Sequence, residues 1–147
     1  MDRIVVVGAS LAGLRAVEAA RRLGFEGELV LVGEEPHAPY DRPPLSKEIA
    51  RGEWETHQVA LKPEGFDDLN VTFRRECAAT GLDLAKREVL LGSERLGFDG
   101  LVITTGARPR ALPGQPALQG VYAQRVNTPL GGVFWFGAHP TRLRRGG

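Results

Sequence analysis

The chain has 147 residues, 42% hydrophobic and 25% charged, with 19 Lys+Arg against 18 Asp+Glu for a formal net charge of +1. That composition suits one globular domain with or without a tail and excludes disorder as the general state. The near-neutral balance argues against nucleic acid, which needs a basic excess on one face. The longest nearly apolar stretch, Ile4 to Leu14, has 11 residues and two glycines, against the about 20 apolar residues of a membrane span. It reads as strand and turn rather than signal peptide. The single cysteine, Cys77, excludes an internal disulfide framework and a two-thiol redox pair, and a cytoplasmic location is expected.

In chain order, RIVVV (Arg3 to Val7) is a β-branched run without alternation, as in a strand buried on both faces. From Leu11 to Leu23 the spacing of Leu14, Val17, Ala20 and Leu23 gives one apolar stripe, with Arg15, Glu18 and Arg22 pointing away, so a helix is predicted that ends at Gly24. ELVLV (Glu28 to Val32) is a second buried strand, and the order strand, helix, strand is the parallel crossover unit. Pro36, Pro39, Pro43 and Pro44 then forbid regular structure until LSKEIARG, which offers a short helix. Beyond it NVTFR, TGLDL, REVLL and GLVITT read as strands, with GSERL at residues 92–96 as a turn. The fold class expected is α/β: a Rossmann-like parallel sheet plus a small antiparallel β-meander.

The first chemical signal is GASLAG, residues Gly8, Ala9, Ser10, Leu11, Ala12 and Gly13, between buried strand and helix. Gly8 permits the tight turn, the small Ser10 lets backbone approach a pyrophosphate, and Gly13 lets the helix pack on the strand. The free N–H groups and positive dipole end of the helix then face the phosphates. At the end of the second strand stand Glu34 and Glu35, placed for a carboxylate to accept hydrogen bonds from an adenosine ribose. Glu34 is the residue expected there, and an acid disfavours a 2′-phosphate, which points to FAD or NAD rather than NADP.

The stretch PYDRPPLSKE, Pro39 to Glu48, separates FAD from NAD. The chain resembles the FAD-dependent ferredoxin and rubredoxin reductases, within the pyridine nucleotide-disulfide oxidoreductase superfamily. The resemblance covers residues 1–123 and rests on VVVGASLAGL, VGEEPHAPYDRPPLSKE, FDGLVITTGARPRALPG and GVY. It implies that Arg42 and Lys47 contact FAD, and the chemistry agrees. Arg42 can pair with phosphate or stack on adenine, and Lys47 can favour the negative charge gained on flavin reduction. It also implies a second FAD contact at Thr105 and Gly106, where Thr104 stands in place of the usual alanine. No catalytic acid or nucleophile is expected of the protein itself. The implied electron donor is NAD(P)H, and the implied partner a small iron–sulfur ferredoxin or rubredoxin. Disulfide reductases of the superfamily carry cysteines just after the second strand, whereas residues 33–52 here contain none. Cys77 reads as a buried structural thiol. His37, His57 and His139 show no metal-ligand spacing. Trp54 and Trp135 are undecided between core and surface.

Residues 124–147 contain no acid and four arginines, while residues 1–123 carry 15 basic against 18 acidic residues. This glycine-rich segment, without regular period beyond Val133 to Phe136, is expected to be a tail foreign to the family fold, as from truncation or a shifted reading frame. The family's NAD(P)H-binding domain, return segment and interface domain are not among these residues. Three functions follow: the FAD-binding portion of a ferredoxin reductase-type oxidoreductase, an FAD-binding module or remnant without turnover, and a basic-tailed interaction protein. The open sheet edge is expected to favour self-association.

Overall fold

Buried β-branched runs need partners on both faces, and the two predicted ones pair with each other. In the computed structural model, which describes residues 1–107 and the strand Phe134–Phe136, β1 (Arg3–Val7) lies parallel to β2 (Glu28–Val32), in register from Arg3↔Glu28 to Val7↔Val32. The helix α1 (Leu11–Arg22) makes the crossover. Gly24, at φ +83°, turns the chain out of it. β3 (Val71–Arg74) pairs parallel with β2, and β7 (Gly100–Ile103) pairs parallel with β1. The sheet order is β3-β2-β1-β7-β8, with β8 (Phe134–Phe136) antiparallel to β7. A second sheet, β4-β5-β6 (Gly81–Asp83, Glu88–Leu91, Glu94–Gly97), is an antiparallel meander. The expected fold class holds. The RPRALPG and GVY segments, His139, the boundary at 123 and the rest of the tail lie outside the described residues.

Side chains alternate across the sheet, and its two faces bury different partners. Ile4 and Val6 meet Leu14 and Val17 of α1, while Val5 and Val7 meet Val89, Leu96 and Phe98 of the meander side. Leu14 and Val17 are fully buried, and burying such a side chain stabilises by about 1.5–3 kcal/mol. One helix and one meander thus sandwich the sheet and hold its strand ends rigidly.

Three expectations change. Leu23 is the C-cap of α1 and 83% exposed, so the apolar stripe ends at Ala20. The stretch expected as a short helix is a 3₁₀ turn, Pro43–Ser46, followed by irregular turns. The Ile49 N–H donates to the Pro44 carbonyl and the Glu53 N–H to that of Glu48, five residues back, not four. The turn read at 92–96 is only Gly92 and Ser93, because Leu91 pairs with Glu94 and the chain continues as β6. The strand β8 falls within the Val133 to Phe136 run of the expected tail and pairs antiparallel with β7.

Candidate nucleotide-binding site

The sheet reverses its winding between β1 and β7: β2 and β3 lie to one side of β1, and β7 lies to the other. In open α/β sheets the crevice outside the carboxyl ends of the strands at this point is where ligands bind. Here a cavity of about 410 Å³ opens there, walled by the turns that follow β1, β2 and β7 and by the proline-rich loop, within the usual range for small-ligand sites.

The turn after β1 is built for close approach. Gly8 sits at φ +112°, and a Cβ there would lie 2.4 Å from the Thr104 carbonyl oxygen. A Cβ on Gly13 would lie 1.9 Å from the Gly8 carbonyl oxygen. Ser10 is the N-cap of α1 but makes no side-chain capping bond, and the first turn of the helix carries no acid. The N-terminal N–H groups and the positive end of the helix dipole are therefore uncompensated by side chains, which favours an anion. Gly8, Ser10 and Leu11 line the cavity. Ala12 and Gly13 do not line it: Ala12 is exposed, and Gly13 is buried in the packing behind the turn.

At the end of β2 the two acids part company. Glu34 is exposed and Glu35 half-buried, and both line the cavity. Glu35 is fixed by two donors: the Arg42 guanidinium at 2.6 Å and the Tyr40 hydroxyl at 2.7 Å. The guanidinium also lies 5.4 Å from the centre of the Tyr40 ring. The loop carrying these groups is tacked down by the Asp41 N–H to the Val59 carbonyl and the Leu61 N–H to that of Pro39. Nε of Arg42 is buried without a hydrogen-bond partner, an uncommon state for a charged donor. It fits a site whose ligand brings an anionic or carbonyl oxygen.

Thr105 and Gly106 follow β7 into the cavity wall, with Gly106 at φ +69°. Lys47 is exposed and does not line the cavity; its backbone N–H donates to the Pro44 carbonyl. Cys77, expected to be buried, is half-buried and lines the cavity beside Ala78 and Ala79, its N–H donating to the Gly33 carbonyl at 2.8 Å. Sequence reasoning also passed over Tyr40, which the proline-rich stretch contains. The residue types present, an uncapped helix N-terminus with glycines before it, an acid after β2 and an arginine with a spare buried donor, fit a dinucleotide.

A doubly wound sheet with a glycine turn at its switch point defines a dinucleotide-binding α/β protein. The comparison with known proteins is more specific: the family described as pyridine nucleotide-disulphide oxidoreductase matches residues 2–129, and the chain belongs to that family. It is 38% identical over 123 residues to the ferredoxin–NAD(+) reductase component of the p-cumate 2,3-dioxygenase system of Pseudomonas putida, covering 83% of this chain and 30% of that protein. It is 38% identical over 126 residues to rhodocoxin reductase of Rhodococcus erythropolis, covering 84% and 30%. Among solved structures, the covalent putidaredoxin reductase–putidaredoxin complex superposes with a TM-score of 0.72 at 33% identity, over 76% of this chain and 27% of that one. The chain thus spans about a third of the length of these relatives. Among the described residues no helix is long and apolar enough to cross a membrane.

Proposed function

We propose that these residues form the FAD-binding portion of a ferredoxin reductase-type flavoprotein, which takes electrons from NAD(P)H and passes them to a small iron–sulfur protein. The observation that carries the reading is the Gly8–Gly13 turn at the switch point, with its uncapped helix N-terminus and no room for a Cβ at either glycine. Relatives named as ferredoxin reductase components support it. The turn and Ser10 would hold the pyrophosphate, Glu34 the ribose, Arg42 a phosphate or the adenine, and Thr105 and Gly106 the second contact. Lys47 would reach toward the flavin from outside the described cavity.

Bound FAD supplies the acceptor for hydride and the donor of single electrons. The chain's own residues bind and orient; none is required to move a proton. The Glu35–Arg42–Tyr40 cluster keeps the cationic group oriented before ligand arrives, which lowers the ordering cost of binding. The test is reconstitution with FAD, read by retained flavin absorbance, for the wild type, Gly13→Val and Glu34→Arg. Retention in wild type with loss in both variants is expected, and retention in both variants refutes the site.

A second reading is favoured by the sequence holding one glycine turn of this kind: the 147 residues bind FAD without turnover of their own. Hydride transfer requires a second nucleotide site that holds the nicotinamide against the flavin. Stopped-flow mixing of the FAD-loaded chain with NADH separates the two. Flavin bleaching at an enzyme-like rate, about 10 per second, refutes the second reading.

A further inference from the structure

We infer that Thr104 is a positioning residue for the dinucleotide: its hydroxyl locks the Gly8–Ala9 peptide in the orientation that the anion-binding turn requires. The inference rests on the reading of that turn as the pyrophosphate site.

Thr104 is the one buried polar residue among the described residues. Its Oγ lies 2.8 Å from the Gly8 carbonyl oxygen and 3.1 Å from that of Val7. The Val7 carbonyl already accepts the Thr104 N–H at 2.7 Å. A hydroxyl has one proton to donate, and the shorter contact, to a carbonyl not served by that N–H, assigns it to Gly8. The Gly8 N–H donates to the Val32 carbonyl at 2.9 Å, so the glycine is held from β2 on one side and from β7 on the other.

Such holding matters at this position more than at another. A glycine at φ +112° has no Cβ to bar rotation of the peptides around it, so the Gly8–Ala9 peptide can turn over unless something fixes it. The peptide is trans, and its carbonyl and N–H point in opposite directions. A carbonyl fixed toward Thr104 and the packing seam of α1 turns the Ala9 N–H the other way, and Ala9 lines the cavity. The reversed peptide would exchange a donor for an acceptor in a turn that must meet phosphate oxygens.

The test compares Thr104→Val, which keeps the shape and removes the donor, with Thr104→Ser, which keeps the donor, and with Thr104→Ala. Two readouts are taken on the full chain: FAD affinity by titration, and amide hydrogen exchange over residues 8–13 without ligand. Thr104→Val is expected to lose about tenfold in affinity and to exchange faster over residues 8–13. Thr104→Ser should stay near wild type in both, and Thr104→Ala should fall between. Tenfold corresponds to about 1.4 kcal/mol, the scale of one buried hydrogen bond. Thr104→Val matching wild type in both readouts overturns the inference, as does Thr104→Ser losing as much as Thr104→Val. If wild type binds no FAD, the functional reading fails, and exchange alone decides: acceleration in Thr104→Val but not Thr104→Ser upholds the lock, and any other pattern overturns it. If Thr104→Val does not fold, the Thr104→Ala against Thr104→Ser contrast decides in the same terms.

Discussion

Replacing Gly13 by alanine isolates the packing of the Gly8–Gly13 turn in one methyl group. The added Cβ would stand 1.9 Å from the Gly8 carbonyl oxygen, where real contacts stay beyond 3.0 Å, so the two must separate by about 1.1 Å. The obstacle is backbone, itself held by the Thr104 hydroxyl, and the methyl also meets Thr104 Oγ at 3.1 Å on the same side. No flexible side chain can yield. Overpacking of this kind costs about 1–3 kcal/mol, toward the upper end when backbone must move. Alanine's better helix propensity returns about 0.8–1 kcal/mol, which leaves a net loss of about 1–2 kcal/mol. On the scale of a domain this size, that is a Tm lower by roughly 2–8 °C. On the proposed reading of this turn as the pyrophosphate site, FAD affinity should fall as well. Gly97→Ala is the control: nothing lies within 4 Å of its added Cβ, and its Tm should stay within about 1 °C of wild type, as for surface substitutions generally. The assay is thermal unfolding with and without FAD. A Gly13→Ala protein as stable as wild type, with its FAD affinity intact, would refute the reasoning.

Arg42→Met should weaken FAD binding about tenfold or more, the scale of a charge-assisted hydrogen bond, and should flatten the salt dependence of affinity; an unchanged titration counts against the role of its buried Nε. Lys47→Met should lower the flavin reduction potential more than it weakens binding, and an unchanged potential in a potentiometric titration removes Lys47 from the site. The Asp99 carboxylate accepts the Asp2 and Arg3 N–H groups at 2.7 and 2.9 Å, and these bonds hold its pKa below the ordinary aspartate value. A lowered folded value gives stability that is present above the unfolded pKa, about 3.9, and lost as pH falls through the folded one. Acid unfolding curves of Asp99→Asn should therefore show a weaker pH dependence in that window than wild type. Gly33→Ala would put its Cβ 2.6 Å from the Ala9 Cβ, so it should destabilise alone and recover when combined with Ala9→Gly; a double-mutant cycle without coupling shows that the turns after β1 and β2 do not press on each other.

The first third of the fold was legible because the forces that build it leave marks in the sequence. A parallel strand covered on both faces must be apolar without alternation, and a crossover helix must carry one apolar stripe. β6 left a weaker mark: in Glu94–Gly97 only Leu96 is buried, so a strand of the meander looks like polar turn. The stretch after Pro44 has helix-forming residues, but two prolines start it as a 3₁₀ turn, and its carbonyls are then met from three, four and five residues on without a regular repeat. In the site, GASLAG was legible as a pattern of small residues. The distinction between Glu34 and Glu35 was not, because at the end of a strand one residue's step reverses the side chain's direction. Only the folded loop shows that Arg42 and Tyr40 converge on Glu35. The wall at Cys77, Ala78 and Ala79 carries no chemical signature at all. It arrives through main-chain apposition, with the Glu76 and Cys77 N–H groups donating to the Glu35 and Gly33 carbonyls.

The turns that make the cavity share a property that sets how it can respond to substitution. They bring small residues to the ends of β1, β2 and β7, and much of their polar capacity is main chain: N–H groups at the start of α1 and glycine peptides that pass close to one another. Backbone donors carry no side-chain rotamer entropy into binding, but their direction depends on peptide orientation. That orientation is fixed from behind, by Thr104 on Gly8 and by the carbonyl of Val32 on the Gly8 N–H. Glu34 and Arg42 also line the cavity, and on the proposed reading they would add charge and selectivity to a site whose shape is already set. Their removal should therefore lower affinity without unfolding the chain. A change at Gly8, Gly13 or Thr104 moves the frame itself, so stability and ligand affinity should fall together.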